Sequence, residues 1–480
     1  MRRDYPSRLF FSSNRKGLIV FIKGSCVVSA CALLFAQAAW ASGMDCEKAQ
    51  SVVEHAICAD KPLYGLDAEM GSTYRKLIKA APQAQAELKS SQRQWLKTRD
   101  GCADNIACLH QQYQDRLQTL HAQWIEAVAY KPDDVDREVM EDLHQRILKK
   151  IEDNPEFALE GALGTLSAKR DETSFSGDPS EDDAYDQTTF PKARPEGVSP
   201  DEWKALNASG LDADAEQGRA TYTLIDLDGD GQRDLFVSTY SGGTGLVNTY
   251  ETFHRDGARF TRRKAPYDPE AINDRYSLST SDRGANQSVG WIESHGRMYL
   301  TYFNGSYGTD RLYLLNPLKI NSQIPTVTVR YEYRLTVPAT QYAEDNNASY
   351  TLEPGLQTAL TEALTESNAG NPQQLKQGTA PLCPIPASGQ GDDDYYSYGA
   401  GYYAIESVTD MAVTIGNECF IAKLNNWFGS YSEKDGLPAL LTLRKPGVEG
   451  QERSYSVNGR RRATEVSATI GKAEEGIGLF

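Results

Sequence analysis

The spacing of apolar residues changes once along this chain, near residue 215, from a helical period to an alternating one. Ala49, Val52, Val53, Ala56 and Ile57 recur at helical intervals and predict a first helix across residues 46–58. Leu66, Met70, Tyr74 and Leu77 form a second stripe, which Pro82 ends. Ala84, Leu88 and Trp95 form a third, and Leu109, Tyr113, Leu117, Leu120 and Trp124 a fourth. Residues 133–152 read as one more amphipathic helix, with Val139, Leu143, Ile147 and Ile151 on one face.

Beyond residue 215 the segments "RATYTLI", "DLFVSTY", "GWIE", "RMYLTYF", "RLYLLN", "TVTVRYEYRLTV", "MAVTIG" and "CFIAKL" read as strands rich in β-branched and aromatic residues. Asp256-Gly257 is a hairpin signal, Asn304-Gly305 a second turn signal, and one helix is expected near residues 355–367. Residues 168–200, rich in Asp, Ser, Gly and Pro, are expected to be a mobile acidic linker. The fold class is therefore multidomain α+β. A small all-α domain at 42–130 precedes a helix and linker at 131–214. A mostly β domain at 215–480 follows, as a sandwich, barrel or partial propeller.

The first forty residues differ in kind. Arg2, Arg3, Arg8, Arg15, Lys16 and Lys23 precede the apolar run "GSCVVSACALLFAQ" and then "AWAS", which predicts a secretory signal peptide cleaved near Ala41–Ser42. A lipoprotein box ending at Cys31 is an alternative, but ten mostly apolar residues would then begin the mature chain. Without residues 1–41 the chain holds 44 basic and 65 acidic residues, a net charge of −21. That charge opposes nucleic acid as a partner. Residues 42–130 hold 10 basic and 11 acidic residues, so the excess acid lies mostly beyond residue 130.

Six cysteines remain after the leader: Cys46, Cys58, Cys102, Cys108, Cys383 and Cys419. An even number in an exported chain points to disulfides, and the absence of C-x-x-C or zinc-finger spacing argues against metal or redox use. An intact helix from Cys46 to Cys58 would separate their α-carbons by about 18 Å, too far for a bridge. Both N-terminal bridges would then tie the first helix to the "CADNIAC" loop, with their order open. Cys383 and Cys419 would form the third.

Several segments of this helical part are similar to the lysozyme inhibitor LprI-like N-terminal domain family. They are "CEKA" at 46–49, "EHAIC" at 54–58, Leu66-Asp67 with Tyr74, "QRQWLKTRDGC" at 92–102 and "CLHQQYQDRL" at 108–117. The resemblance covers residues 44–125 and implies recognition without catalysis, with lysozyme or a related glycan hydrolase as partner. It carries over no catalytic residue; the shared Arg93, Trp95, Arg99, Asp100 and Arg116 are expected to partner helix faces or caps. A lysozyme cleft carries two carboxylates, one a proton donor, which an inhibitor could block with a loop of hydrogen-bond donors.

The β-rich half contains one chemical motif, "DLDGDGQRD". Asp226, Asp228 and Asp230 alternate, Gly231 permits a sharp turn, and the Gln232 carbonyl and Asp234 complete the spacing of a calcium loop. Strands flank it, and Val237 stands where a helix–loop–helix site has its Glu. It resembles integrin-type calcium loops, in a single copy. A structural calcium ion is the expectation. No H-E-x-x-H, G-x-S-x-G or Walker sequence occurs, and "GAGYYA" at 399–404 lacks the strand–helix context of a dinucleotide site. The expected function is an exported cell-envelope binding protein. The alternatives are a glycan hydrolase with carboxylates in the β-rich half, or a structural or sensor accessory protein.

Overall fold

A computed structural model of the chain describes residues 44–472, apart from 167–169, 180–187, 212–218, 243–245, 263–277, 282–284, 344–347, 367–393, 399–400, 416–417, 427–428, 446–447 and 449–451. The leader therefore lies outside the described residues, as does the proposed Cys383–Cys419 pair through Cys383.

A 3-10 turn at Cys46–Lys48 leads into α1 (Val52–Ala59), α2 (Lys61–Ala80), α3 (Gln85–Asp100) and α4 (Ile106–Val128). The starts are capped as the sequence dictates. Ser51 and Glu54 form a reciprocal capping box on α1, Asp60 accepts the Leu63 N–H, and Asn105 accepts the Cys108 N–H. Ile57, Leu63, Met70, Leu77, Leu88, Leu109, Tyr113, Leu117 and Leu120 make the core, with Tyr74, Trp95 and Trp124 packed against it. Asp67 meets Tyr113 while Thr73 meets His121, so α2 and α4 run parallel. Gln92 meets Arg116 while Arg99 meets Tyr113, so α3 runs the other way.

The expected disulfide arrangement is overturned. Cys46 bonds Cys58 and Cys102 bonds Cys108, with Cα separations of 5.8 and 5.6 Å. The first helix is shorter than its apolar spacing suggested. Residues 49–51 are non-helical between the 3-10 turn and the Ser51 cap, so the chain folds back and brings Cys46 to the end of α1. The steric bar to pairing assumed a helix that is absent there.

Two more helices, α5 (Asp134–Asp153) and α6 (Ala158–Leu163), belong to the next layer. Val139, Leu143 and Ile147 of α5 pack with Leu159 and Ala162 of α6 onto strand residues Ile292, Tyr299, Leu312, Val327 and Val329.

The segment expected to be a linker is partly built into the fold. It contributes β1 (Glu172–Ser176), the short pair β2 (Asp178–Pro179) and β3 (Thr188–Thr189), and the start of α7 (Pro200–Asn207). Phe175 stacks on Tyr222 and Phe190 on Trp203, which gives this acidic stretch the apolar anchors its composition understated. β1 pairs with β4 (Arg219–Ile225), which continues through β5 (Asp234–Gly242) to β6 (Val247–Asp256). β7 (Arg259–Arg262) and β8 (Leu278–Ser281) share the other edge of β6.

A second antiparallel sheet contains β9 (Asn286–Ser294), β10 (Arg297–Ser306), β11 (Thr309–Leu315) and β12 (Ile324–Thr336). After a hairpin of β13 (Thr340–Ala343) and β14 (Ala348–Thr351), and then α8 (Pro354–Glu366), the same sheet receives five more strands. They are β15 (Asp394–Tyr398), β16 (Gly401–Ile415), β17 (Glu418–Asn426), β18 (Leu437–Arg444) and β19 (Arg453–Gly471). The order is β15-β16-β17-β18-β19-β12-β11-β10-β9, so β19 joins the late strands to the early ones. Both sheets are open, and the described residues form no closed barrel. α8 covers the β16–β18 half through Leu360 and Leu364, and Phe236 and Tyr250 of the first sheet pack on Trp291, Leu300 and Tyr302 of the second.

The hairpin signals divide. Asp256-Gly257 joins β6 to β7 with Gly257 at φ 54°. Asn304-Gly305 lies inside β10, and the turn comes at Gly308, φ 76°. Gly305 serves space instead: a Cβ there would sit 2.6 Å from Asn286 Nδ2.

Candidate functional site

The helical bundle is polarised from end to end. The start of α2, the end of α3 and the start of α4 share one end, as Asp60 within 3.5 Å of His110 shows. Both disulfides are there. Asp45, Glu47, Glu54, Asp60, Asp100 and Asp104 face Lys48, Lys61, Lys97 and Arg99 at that end. The far end carries Arg75, Lys76, Lys79, Lys89 and Lys131 against Glu87 and Glu126. A nearly neutral domain thus has an acidic stapled end and a basic far end. Part of this follows from helix physics, since acids favour helix N-termini and bases C-termini. The exposed positions do not follow from it. Val52 is 60% exposed and Ile106 36%, and residues 103–107 are exposed in succession, with Ala103 held at φ 51°.

A buried polar network fixes this end. Tyr113 Oη donates to Asp67 Oδ1 at 2.8 Å, the Met44 N–H donates to Asp67 Oδ2 at 2.7 Å, and Arg99 Nη1 donates to Tyr113 Oη at 3.1 Å. Burial, reinforced by Asp67, pushes the Tyr113 phenol up, so it stays a donor. Arg116 donates twice to Gln92 Oε1, at 3.0 and 2.8 Å, and Trp95 Nε1 reaches the Gln112 carbonyl at 3.2 Å. Trp95, Arg99 and Arg116 therefore partner helix faces as expected, whereas Asp100 is exposed and its side chain meets its neighbour Arg99. Arg93 differs, because its side chain faces solvent.

The acidic loop between β4 and β5 brings part of the expected calcium set together. Ligand oxygens of Asp226, Asp228 and Asp230 lie within 4.8 Å of one another. Asp226 accepts the Gly229 and Gly231 N–H groups at 2.6 and 3.2 Å, and both glycines have the positive φ the winding requires, 82° and 86°. Asp230 accepts the Gln232 N–H at 2.7 Å.

Asp234 joins Asp228 and His254 in a second group whose ligand atoms also lie within 4.8 Å of one another. It is buried, and its oxygens accept the N–H groups of Leu227 at 3.0 Å and Arg255 at 2.9 Å, pinning the loop to β6. Burial pushes its carboxyl up. Two residues were not anticipated. His254 Nδ1 lies 3.1 Å from Asp234 and 3.6 Å from Asp228, and Arg170 donates to the Asp226 carbonyl at 2.8 Å with its guanidinium 3.4 Å from the Asp226 carboxylate. His254 sits in the strand segment "TYETFHR", twenty positions on, and only the β5–β6 register carries it to the loop.

Comparison with known proteins bears on the helical part. Residues 44–131 match the model of the family described as "Lysozyme inhibitor LprI". Proteins named "Lipoprotein LprI" from Mycobacterium bovis and Mycobacterium tuberculosis are 32% identical over 77 residues, 15% of this chain and 38% of theirs. The chain thus spans about two fifths of the length of these relatives. No solved structure matches. Among the described residues, no helix is long and apolar enough to cross a membrane. Residues 44–131 therefore match the lysozyme inhibitor LprI family as a domain, joined here to a β-rich region that the match does not cover.

Proposed function

We propose that this protein is an exported, non-enzymatic binding protein. Its LprI-type domain docks by the acidic stapled end onto a lysozyme-class glycan hydrolase and obstructs the cleft. The observation that carries the reading is the charge polarity of a domain whose family is described as a lysozyme inhibitor. Lysozymes are commonly basic, so an acidic end is drawn to them at long range, and the exposed Ile106 and Val52 give it apolar contact area. The basic start and apolar run of residues 1–41 support export by a cleaved leader.

The hydrolase alternative has weaker support. The carboxyl that burial raises to about 6, Asp310, is enclosed with Arg461 Nη1 at 2.9 Å and cannot meet a substrate. Titrating the mature protein into a lysozyme turnover assay tests the proposal. The expected result is inhibition that weakens as ionic strength rises past about 0.1 M. Absence of binding and inhibition at high micromolar protein removes it.

We also propose a structural calcium ion in the 226–234 loop. The convergence of Asp226, Asp228 and Asp230 supports it, with the Gln232 main-chain carbonyl and Asp234 as further ligands, Asp234 also pinning the backbone of the loop. Calcium is expected to raise the melting temperature, and chelator to lower it, in the wild type but not in Asp228→Ala. A wild-type melting curve indifferent to both additions rules the ion out.

A further inference from the structure

The boundary of the LprI-type domain falls at Lys131, where a flexible connection would be the ordinary expectation. The structure has a polar cluster there. Asp136, in the first turn of α5, is completely buried, accepts three hydrogen bonds and stands in one ion pair. The donors are Tyr130 Oη at 2.6 Å, Tyr299 Oη at 2.8 Å and the Asp133 N–H at 2.7 Å, and Arg297 Nη1 lies 3.0 Å away as the cation. Arg297 also donates through both Nη atoms to the Asp133 carboxylate, at 2.9 Å each, and through Nη1 to Tyr130 Oη at 2.5 Å. The Tyr130 N–H donates to the Ile320 carbonyl at 2.6 Å, adding a parallel bridge between Tyr130 and Asn321. The Tyr130 ring lies between Arg297 and Lys319, 5.9 and 5.7 Å from its centroid.

The participants come from three places. Tyr130 follows the last helix of the bundle, Asp133 and Asp136 cap the helix packed on the large sheet, and Arg297 and Tyr299 belong to that sheet. Arg297 suits the position because its planar fork spans the Asp133 carboxylate while still meeting Asp136. A buried carboxylate such as Asp136 loses much if any one of its partners is removed.

We propose that the Arg297–Asp133–Asp136–Tyr130 cluster is a clamp that makes the LprI-type domain and the β-rich region move as one body. The β-rich region then sets the direction in which the stapled end is presented. The clamp lies at the C-terminal end of α4, a 23-residue helix. The stapled end is at its other end, about 34 Å away at 1.5 Å per residue. Small angular freedom at the base would therefore become large displacement at the tip.

Hydrogen exchange of the mature full chain tests the clamp. In Arg297→Gln, peptides covering 126–137 are expected to exchange at least about tenfold faster, because the bonds from the Tyr130 amide to the Ile320 carbonyl and from the Asp133 amide to Asp136 hold only while the clamp is closed. Peptides from 109–120 and 311–315 should keep wild-type protection. Small-angle scattering of the same variant should show a broader distribution of interatomic distances. Tyr130→Phe removes one donor with little change of shape; it should move both readouts less in the same direction, and it carries the test if Arg297→Gln does not fold. Unchanged exchange at 126–137 in a folded variant overturns the proposal. So does faster exchange with unchanged scattering, which would mean local fraying in a body held together elsewhere.

Discussion

The stapled bundle and the β-rich region solve the same problem by different means. The bundle has fewer than ninety residues, a size at which a core alone is marginal, and it adds two covalent loops. The β-rich region has two packed sheets, with three helices over the larger one. Two arginines hold carboxylates inside it, Arg461 buried and Arg233 half-buried. Arg461 lies over Tyr331 and Tyr431 and donates to Asp310, Glu160 and the Glu156 carbonyl, while Arg233 grips Glu202 with two 2.8 Å bonds. Both parts bury partnered charge, Arg99 and Arg116 in the bundle and Arg461 in the β-rich region, and the bundle adds a restriction of its unfolded chain.

The largest effect is expected in the β-rich region. Arg461→Met leaves Asp310 buried without its cation and should cost about 3–5 kcal/mol in urea unfolding. Adding Asp310→Asn should recover part of that, and additivity of the two changes would refute the pairing. Cysteine-to-serine replacement at both ends of either bundle staple comes next. Loops this short should give about 2–3 kcal/mol each, against roughly 4 for the long-range bridges expected from the sequence. Calorimetry should place the loss in the helical transition and leave the β-rich one in place.

Acid separates two buried carboxyls within the β-rich region itself. Burial alone would raise Glu202, but the Arg233 bonds and the Ser199 N–H overcome it and hold it at about 2. Its folded value lies below the ordinary 4.5, so it stabilises above about pH 4.5, and that is lost as pH falls toward 2. Asp310 is raised to about 6, so the folded state takes up its proton first, and acidification from 7 toward 4 favours folding at that site. Glu202→Gln should flatten the acid limb by about 2 kcal/mol, and Asp310→Asn should remove the opposing slope between pH 6 and 4. The smallest effect is Asp228→Ala measured without calcium. The loop is exposed there, and a change within about 0.5 kcal/mol is expected; a larger loss would make the side chain structural in its own right.

Much of the secondary structure was legible in the chain. Five amphipathic stripes became helices, and the alternating segments became strands at nearly the positions read, because both patterns are local consequences of burying one face. Reading failed where a local signal had a non-local cause. Asn304-Gly305 has turn composition, yet Gly305 is small because Asn286 crosses it. Phe175 and Phe190 were lost in acidic surroundings, although two aromatic anchors suffice to hold a strand and a short helix.

What the sequence by itself determined is the division into a stapled helical part and a strand-rich part, the cysteines available for bridging, and the acidic loop spacing. These depend on residue type and period along a few turns of chain. Tertiary structure alone decided the pairing of the cysteines, the sorting of a balanced charge into two poles, the arrival of His254 and Arg170 at the loop, and the meeting of Arg297 with Asp136 across more than 160 residues. Each depends on where distant segments stop and pack, and the free energy that decides this belongs to the whole core, not to any window of sequence.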